Sequence, residues 1–488
     1  MTEQEVLLQE MEERIKYVKG FITAFNVNID AIIPLRTTEI RELLDILTLD
    51  QKSILLSSLN NPPLEIHSPV ELLAGILYSL CNEKTIELGI SSSETHNWIK
   101  TRFQPSLLRI GGQAGNMAYQ LSRIGVKKIY ISIPSLTLLQ AKTFSNLPNI
   151  LTPVRSSENN IEFKHPLDAV HHDKEDLIHW VFEINPWESL DLNSKKCESK
   201  SRVRLIATYD EQNSRLEFKE EFKIGSLKIA GQVDYAIASG YHLLKRRYPD
   251  RSCPEDHILK TIDLIESWKR INSGLKVHYE HGFNGDLQIL RLIFDNVRKA
   301  VDSLGLNEVE LPFILRAYGF EEESKHIWNE FDIISLFEGI RELYDLLNIG
   351  HIVLHTKEFS MSLMSDIYGV DPDSEVKGLL FGNFVAATAA MSGDFPTIQE
   401  VKSTIQNLET SNEGVKHMYK LMEYLKTKYA GHVNTFKNSM VVDLHDSLLS
   451  FAVAKNVSFP KITVGLGDAF TAALLAVEAS SKRYELMK

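Results

Sequence analysis

The segment 463–468, TVGLGD, places two glycines and an aspartate at the start of an apolar helical stretch. The glycines let the backbone turn tightly and leave its amides uncovered, and the following helix adds partial positive charge at the same point. Such a corner can hold an anion. Asp468 can accept a proton from a substrate hydroxyl, so nucleophile activation and charge stabilisation would meet here. On spacing alone, an Asp N-cap after a glycine turn is the favoured interpretation of this segment.

Two further segments carry carboxylates where predicted strands end: HYE at 278–280 and SLGLNEVE at 303–310. His278 and Glu280 point to the same face of their strand because side chains alternate. The carboxyl ends of parallel strands meet at one edge of a sheet, where open α/β sheets bind ligands. Carboxylate and amide side chains at such an edge suit Mg²⁺. Taken singly, each segment also fits a solvated strand end or turn.

A fourth segment, RIGGQAGN at 109–116, has the features of a sugar pocket. Its paired glycines permit close approach of a ligand, and Gln113 and Asn116 offer donors and acceptors suited to a polyol. Asn28 and Asp30, at the end of the first predicted strand, would complete such a pocket. Asn and Asp are also ordinary turn formers, so both interpretations stay open.

The elements that must position these residues are alternating strands and helices, and two segments of the chain interrupt this alternation. Short apolar strands alternate with helices, which predicts a mostly parallel sheet flanked by helices. One interruption has the pattern of amphipathic helices, and the other has polar, strand-like segments such as IHWVFEI (178–184) and RLEFKEEFKI (215–224). We interpret both as insertions that form a smaller α+β lid. The predicted large domain comprises 1–32, 108–154 and 232–488, and the predicted lid comprises 33–107 and 155–231.

Composition narrows the class of protein. The 488 residues include 53 Lys and Arg against 65 Asp and Glu, a formal net charge of −12. Hydrophobic residues make up 43% and charged residues 24%, which is typical of a globular chain and excludes a disordered one. The negative balance argues against a nucleic-acid partner, because neutralising phosphates needs a basic face. We expect small-molecule partners and a monomer or small homo-oligomer.

Three cysteines occur, Cys81, Cys197 and Cys253, with no CxxC and no histidine at metal-ligand spacing. This pattern predicts neither a disulfide framework nor structural zinc, and it makes the reducing cytoplasm the expected location. The N-terminal segment lacks the apolar core of a signal peptide. The longest nearly apolar stretch, 379–391, is too short to cross a bilayer, so we expect a buried helix there and no membrane partner.

Together these segments resemble the ADP-dependent sugar kinases, the glucokinase and phosphofructokinase group of the ribokinase-like superfamily. A GxGD start to a helix is shared by the wider superfamily, and its combination with HxE and NxxE in this order is typical of the ADP-dependent branch. The resemblance implies a ribokinase-like large domain with a discontinuous lid. The matching segments are NVNIDAI (26–32), RIGGQAGNMA (109–118), IHWVFE (178–183), RLIA (204–207), HYE (278–280), GLNEVEL (305–311), HIVLHT (351–356) and TVGLGD (463–468).

The resemblance also implies roles for individual residues. Asp468 would be the catalytic base, beside an anion hole formed by the amides of Gly465, Leu466 and Gly467, and Arg204 would reach phosphate from the lid. The residues implied to organise Mg²⁺ are Glu280, Asn307 and Glu310. The residues implied to contact the sugar are Asn28, Asp30, Glu87, Gly112, Gln113 and His179. By position in the chain, we predict that His355, Thr356 and Val441 contact the adenine.

The implied reaction transfers the β-phosphoryl group of ADP to a hexose or hexose phosphate in a modified glycolysis, releasing AMP. Glu87 lies where the family has a glutamate that favours glucose, while Lys174 and Arg204 are able to hold a sugar phosphate. We therefore expect fructose 6-phosphate as the main acceptor and glucose as an additional one. Three alternatives stay open: a glucokinase only, an ATP-dependent ribokinase-type kinase, and a non-catalytic sugar or nucleotide sensor.

Overall fold

The computed structural model describes residues 2–486 except 58, 60, 64, 158–159, 172–173, 193–195, 201, 430–432 and 437. The strands are β1 (Phe21–Ala24), β2 (Asn28–Leu35), β3 (Ile86–Gly89), β4 (Leu107–Gly111), β5 (Ile129–Ile131), β6 (Ile150–Ser157), β7 (Asn160–Lys164), β8 (Ile178–Ile184), β9 (Ser189–Asp191), β10 (Lys196–Glu198), β11 (Val203–Tyr209), β12 (Tyr235–Ala238), β13 (Lys276–Glu280), β14 (Ser303–Asn307), β15 (His351–His355), β16 (Phe359–Met364), β17 (Val433–Phe436), β18 (Ser439–Asp443) and β19 (Leu448–Val453).

Helices occupy much of the remaining chain. They are α1 (Glu3–Ile15), α2 (Thr37–Asp45), α3 (Leu49–Ser57), α4 (Pro69–Asn82), α5 (Ser93–Arg102), α6 (Gln113–Arg123), α7 (Leu138–Lys142), α8 (Glu211–Ser214), α9 (Glu220–Ile229), α10 (Pro254–Ile271), α11 (Leu287–Val297), α12 (Glu310–Ala317), α13 (Glu321–Glu330), α14 (Ile333–Leu347), α15 (Pro372–Ser392), α16 (Ile398–Ile405), α17 (Asn412–Tyr429) and α18 (Leu466–Glu485).

Twelve strands form a large sheet in the order β17-β18-β19-β16-β15-β14-β13-β12-β1-β5-β6-β7. The seven central strands from β15 to β6 are parallel, and the strands at both edges pair antiparallel. Helices cover both faces, with α10, α11 and α14 in the apolar core on one side and α1, α6, α15 and α18 in the core on the other. The predicted α/β fold class is confirmed.

A separate five-stranded sheet has the order β3-β11-β8-β2-β4. Apolar side chains alternate along its strands, and one of its faces forms a core with the helices α2 to α5. Polar side chains such as Asn28 and Asp30 occupy the other face, because a period of two separates the faces along each strand. The small sheet therefore presents a polar surface beside the large sheet.

The predicted domain boundaries do not coincide with the division of the strands between the two sheets. Residue 32 lies inside β2, and β4 joins the small sheet from Leu107 onward. Within 155–231, β7 pairs with β6 of the large sheet, and α9 packs its buried Phe222 and Ile229 into the large core. β2 and β4 pair although they lie far apart in the chain, whereas β7 belongs to the large sheet because it forms a hairpin with β6.

Two expectations for local structure are wrong. The segment 215–224 is not a strand, because Phe222 and Ile229 recur at helical spacing and α9 begins at Glu220. Cys81 of α4 and Cys197 of β10 form a disulfide, although they lie 116 residues apart. The packing of α4 against β10 brings the two Cα atoms to 4.4 Å, and Cys253 is left free and exposed.

The buried helix predicted at 379–391 is confirmed within α15. Its N-cap residue Asp371 accepts a hydrogen bond from the backbone of Ser374, Pro372 occupies the first turn, and Gly393 ends it in a left-handed conformation. No helix among the described residues combines the length and apolar character needed to cross a bilayer.

Candidate active site

The segment 463–468 forms a tight corner that leads into α18. Gly465 is the N-cap residue of this helix and has a left-handed backbone with φ of 76°. A Cβ atom at Gly465 would lie 2.8 Å from the Phe395 ring, and one at Gly467 would lie 2.5 Å from the His355 ring. Glycine is therefore required at both positions, and the uncovered amides at the helix start form an anion-binding corner.

Asp468 lies in the first turn of α18 but does not cap it. The cap is Gly465, Leu466 is the first helical residue, and Asp468 Oδ2 instead accepts a hydrogen bond from Asn116 Nδ2 over 2.8 Å. The Asp N-cap interpretation is therefore wrong. Asp468 is 8% exposed, and burial, followed by repulsion from Glu280, raises its pKa to about 7. A carboxylate with a pKa near neutral is suited to accept a proton.

Glu280 ends β13 and lies between two histidines. Its Oε2 is 2.9 Å from His278 Nε2, and its Oε1 is 3.5 Å from His355 Nε2. Burial by itself raises the pKa of Glu280, but the interactions with both histidines outweigh burial and lower the pKa to about 2. Glu280 is therefore an ionised carboxylate at the carboxyl edge of the parallel strands.

Asn307 ends β14, and its side chain is bound to Glu310 at the start of α12. Asn307 Nδ2 donates to Glu310 Oε1 over 2.9 Å, and the Asn307 backbone amide donates to Oε2 over 3.0 Å. Burial raises the pKa of Glu310 to about 8, and repulsion from Glu280 and Glu308 adds to this effect. The three carboxylates therefore crowd one edge of the sheet.

This carboxylate cluster fits a divalent cation. The pKa of Glu308 is also raised, first by burial and then by a neighbouring carboxylate, Glu358. A bound cation would relieve the repulsion among these groups, and carboxylate oxygens are the ligands that Mg²⁺ takes in proteins. The residues predicted to organise Mg²⁺ lie together at this edge: Glu280, Asn307 and Glu310. The Asn307 side-chain amide already donates a hydrogen bond to Glu310.

Four of the six residues implied to contact the sugar share one face of the small sheet: Asn28, Asp30, Glu87 and His179. Asp30 of β2 pairs with Arg109 of β4 and with His179 of β8, and His179 pairs with Thr208 of β11. Directly paired residues point to the same side of a sheet. Glu87 joins this face through the pairing of β3 with β11.

Arg204, on the same face of β11, links the small sheet to the glycine corner. Its Nη2 donates a hydrogen bond to Thr463 Oγ1. The side chain is 7% exposed, and its Nε and Nη1 atoms have no hydrogen-bond partner among the described residues. Burial lowers the pKa of Arg204 to about 10, so the guanidinium stays charged at neutral pH. A buried arginine with free donors beside an anion-binding corner is arranged to bind phosphate.

Asp30 and Asn28 form a polar pair at the base of the small sheet. Asn28 Nδ2 donates to Asp30 Oδ1 over 2.9 Å, and Arg109 Nε lies 3.8 Å from Asp30 Oδ2. Asn28 Oδ1 has no partner among the residues that the structure describes. A Cβ atom at Gly111 would lie 2.0 Å from Asp30 Oδ1, so this glycine makes room for the carboxylate.

His179 is oriented by a residue outside the predicted set. Its Nε2 lies 3.1 Å from Oδ2 of Asp210, which is the N-cap residue of α8. Burial lowers the pKa of His179, but Asp210, Glu87 and Asp30 outweigh burial and raise it. Glu87 is an exposed residue of the edge strand β3, and its pKa is raised because the surrounding protein reduces its solvation and because Asp30 and Asp210 repel its charge. Hydrogen-bonding groups suited to a polyol therefore gather on this face of the small sheet.

Gly112 and Gln113 make close contacts with backbone groups at the start of α6. Gly112 is the N-cap residue with φ of 76°, and a Cβ atom there would lie 2.5 Å from the carbonyl oxygen of Asn26. Gln113 Nε2 donates to the carbonyl of His281 over 2.6 Å, and Gln113 Oε1 accepts from the Gly240 amide. Gln113 therefore joins α6 to the ends of two strands of the large sheet.

A cavity of about 750 Å³ opens beside the glycine corner, on the side of β15 and β19. Its volume lies in the range of small-molecule sites, about 300–1,000 Å³. The residues that line it include His355, Thr356, Asn383, Lys455, Leu466 and Gly467. The structure does not bring Val441 to this cavity, because Val441 pairs with Ser450 in the middle of β18.

Residues 19–477 match the family model described as the ADP-specific phosphofructokinase/glucokinase conserved region. The chain belongs to this family. It is 27% identical over 481 residues to the ADP-specific phosphofructokinase of Methanosarcina acetivorans, covering 97% of this chain and 96% of that protein. It is also 27% identical to the ADP-dependent glucose/glucosamine kinase of Pyrococcus furiosus, covering 98% and 99%.

A solved ADP-dependent kinase in complex with fructose 6-phosphate and ADPβS has the same fold. The TM-score is 0.84 at 26% identity, over 98% of each chain. The predicted family and the class of enzyme, a phosphotransferase of the ADP-dependent phosphofructokinase/glucokinase family, are therefore confirmed.

Several contacts of these side chains were not predicted from the sequence. Asn116, which we expect to suit a polyol, donates to Asp468. His355, which we expect near adenine, lines the cavity, and its ring also lies between Glu280 and Gly467. Asp210, the partner of His179, carried one usable signal, since an aspartate before a short helix is a typical N-cap.

Proposed function

We propose that this member of the family transfers the β-phosphoryl group of ADP to fructose 6-phosphate, with glucose as an additional acceptor. One observation carries the proposal: the buried Arg204 presents, at the corner that holds Asp468, two donors that have no partner among the residues the structure describes. A base, an anion-binding corner and a phosphate-binding arginine therefore meet at one point. Phosphoryl transfer asks the protein mainly for such positioning and charge stabilisation.

Asp468 is the proposed base. With its pKa near 7, a substantial fraction of the carboxylate is ionised at neutral pH and able to take the proton of the attacking sugar hydroxyl. The amides of Gly465, Leu466 and Gly467 face the transferring group at the helix start, where backbone donors stabilise negative charge. Arg204 completes this anion hole from the small sheet.

Mg²⁺ is the proposed cofactor, held by Glu280 and Glu310 with Asn307 positioning Glu310. When bound, the ion neutralises phosphate charge and orients the donor. Its protein ligands lie at the end of β13 and at the start of α12, which follows β14. β14 borders β15, the strand whose end carries His355 beside the cavity. We place the nucleotide in this cavity, with Thr356 on its wall.

The acceptor lies between the corner and the polar face of the small sheet in this proposal. Asn28, Asp30 and His179 would bind sugar hydroxyls, and Glu87 would permit unphosphorylated glucose. The solved relative that binds fructose 6-phosphate supports a sugar phosphate as the main acceptor. The small sheet with its helices would act as a lid that excludes water, which prevents hydrolysis of the donor. An enzyme with these substrates would work in the cytoplasm.

The decisive experiment is an initial-rate panel that crosses ADP and ATP with fructose 6-phosphate and glucose, with Mg²⁺ and with EDTA. We expect the highest kcat/KM with ADP and fructose 6-phosphate, AMP as product, and no turnover in EDTA. Turnover with ATP alone would favour a ribokinase-type kinase. Binding of ADP and sugar without turnover in any combination would favour a sensor.

A further inference from the structure

A row of buried polar side chains crosses the large sheet behind Glu280. His278, Ser303 and His351 are directly paired neighbours on the parallel strands β13, β14 and β15. Each is 0% exposed. Paired residues share a face of the sheet, so the three side chains lie side by side and lead away from Glu280 into the protein.

Hydrogen bonds join this row from end to end. Glu280 Oε2 lies 2.9 Å from His278 Nε2, and His278 Nδ1 lies 2.8 Å from Ser303 Oγ. Ser303 Oγ is in turn 2.9 Å from His351 Nδ1, and His351 Nε2 is 3.0 Å from Oε1 of Glu375 on α15. An unbroken series therefore connects Glu280 with a second buried carboxylate.

The inner end of the series favours a protonated His351. Glu375 Oε1 also accepts a hydrogen bond from Ser362 Oγ over 2.6 Å, so it is an acceptor and His351 Nε2 is the donor. Glu478 Oε1 lies 4.0 Å from His351 Nδ1, at the other ring nitrogen. Burial lowers the pKa of His351, but Glu375 and Glu478 outweigh burial and raise it. This arrangement fits a protonated imidazole between two carboxylates.

The direction of the remaining hydrogen bonds follows from this end. A doubly protonated His351 donates from Nδ1 to Ser303 Oγ, so the single Ser303 hydroxyl hydrogen points to His278 Nδ1. His278 then carries its own hydrogen on Nε2 and donates it to Glu280. From His351 Nδ1 outward each donor points toward Glu280, while His351 Nε2 donates inward to Glu375, and the series selects one tautomer of His278.

We propose that Ser303, His351 and Glu375 are positioning residues that fix His278 as the donor to Glu280 and thereby hold this carboxylate in the orientation that binds the catalytic cation. The inference rests on the proposed function of Glu280 as a metal ligand. Groups that orient a ligand typically change metal affinity or activity by about 10–100-fold when they are removed.

Two variants break the series at different points. Ser303→Ala removes the hydroxyl between the two histidines. Glu375→Gln keeps the shape but removes the charge, so His351 can become neutral and accept at Nδ1, which turns the Ser303 hydroxyl away from His278. The matched control is Ser450→Ala, since Ser450 lies on β19 of the same sheet, is 1% exposed, and its Oγ has no partner among the described residues.

The measurements separate metal binding from catalysis. Electron paramagnetic resonance of free Mn²⁺ gives the dissociation constant of the folded protein for the metal alone, and steady-state rates give the half-saturating Mg²⁺ concentration and the KM for fructose 6-phosphate. For Ser303→Ala and Glu375→Gln we expect both metal constants to rise by about tenfold. The KM for the sugar should stay within about twofold of the parent, and Ser450→Ala should match the parent throughout.

Folded variants with parent-like Mn²⁺ binding would overturn the inference. A uniform loss of stability, sugar binding and metal binding would overturn it too, because a merely structural role produces that pattern. Glu280→Gln, measured in parallel, keeps the two proposals distinguishable. If Glu280→Gln weakens Mn²⁺ binding and Ser303→Ala does not, only the positioning role falls. If Glu280→Gln leaves Mn²⁺ binding unchanged, Glu280 is no ligand and both fall.

Discussion

Asn116 donates a hydrogen bond from Nδ2 to Oδ2 of Asp468 over 2.8 Å, although the two residues lie 352 positions apart. Asn116 belongs to the first turn of α6, which follows β4 of the small sheet directly. The proposed base is therefore oriented by an element that is continuous with the sugar-facing sheet. In the proposed function, closure of the small sheet as a lid would move α6 and with it the amide that orients the base.

Removal of the Asn116 amide should shift the pH dependence of the reaction. The base must be ionised, and the pKa of Asp468 is about 7, so kcat/KM should fall as the pH drops below about 7. The hydrogen bond from Asn116 favours the ionised form. In Asn116→Ala the fall of kcat/KM on the acid side should therefore shift to higher pH, by roughly one pH unit. Profiles of kcat/KM between pH 5 and 9 check this, and an unchanged midpoint of the fall would exclude Asp468 as the titrating base.

Asp468→Asn should lower turnover and raise stability at the same time. Turnover should fall by at least about 100-fold because general-base catalysis is lost. Since burial raises the pKa of Asp468 from 3.8 to about 7, its ionisation destabilises the fold above pH 7 by roughly 4 kcal/mol. That cost grows from about pH 4 to 7 and is absent below the unfolded pKa. Calorimetry should therefore show a higher Tm for the variant at pH 8 and little difference near pH 4.

The control for this variant is Asp263→Asn on the exposed face of α10. It should change neither the turnover nor the Tm by a measurable amount. A decrease in Tm for Asp468→Asn at pH 8 would mean that the carboxylate stabilises the fold and would contradict a desolvated base.

Gly305→Ala should displace Glu280. A Cβ atom at Gly305 would lie 2.2 Å from Glu280 Oε2 and 2.9 Å from His278 Nε2, so their hydrogen bond cannot persist in place. We expect a loss of activity of at least about tenfold and a higher Mg²⁺ requirement. Gly231→Ala is the matched control, because the atom nearest to a Cβ at this position would be 4.0 Å away. Equal rates for the two variants would show that the Glu280 geometry is irrelevant.

Arg204→Leu should mainly reduce kcat. Its unpartnered Nε and Nη1 atoms are the donors available to a transferring phosphoryl group, and loss of one such donor typically costs about 10²–10³ in kcat. Arg202→Leu removes the neighbouring arginine of the small sheet, whose Nη1 donates to the carbonyl of Lys461 over 2.5 Å. This control should change kcat by no more than a few-fold. A similar loss in both variants would attribute the effect to contact between the sheets.

The disulfide between Cys81 and Cys197 should be detectable by counting thiols. In the unfolded, unreduced chain only Cys253 should react, and all three cysteines should react after reduction. The bond closes a loop of more than 100 residues, so its loss in Cys81→Ala/Cys197→Ala should lower the free energy of unfolding by up to about 4–5 kcal/mol. Three reactive thiols before reduction would contradict the pairing.

Much of the candidate site was predictable because its chemistry is local in the chain. The glycines of TVGLGD fix a turn and a helix start within six residues, so the corner of Gly465, Gly467 and Asp468 follows from the sequence alone. The alternation of strands places Glu280 and His278 on one face, and the α/β rhythm implies that their strand ends share an edge with Asn307. The fold class and the family followed from the same local patterns.

The tertiary structure decided whatever depends on strand order and long-range packing. The row from His278 through Ser303 to His351 exists only because β13, β14 and β15 are adjacent and in register, and no local pattern specifies register across separated strands. The pairing of Cys81 with Cys197 likewise depends on α4 packing against β10. The sequence by itself thus determined the chemical groups and their local backbone, while the contacts that tune them required the folded chain, because side-chain proximity across hundreds of residues is set by packing rather than by spacing.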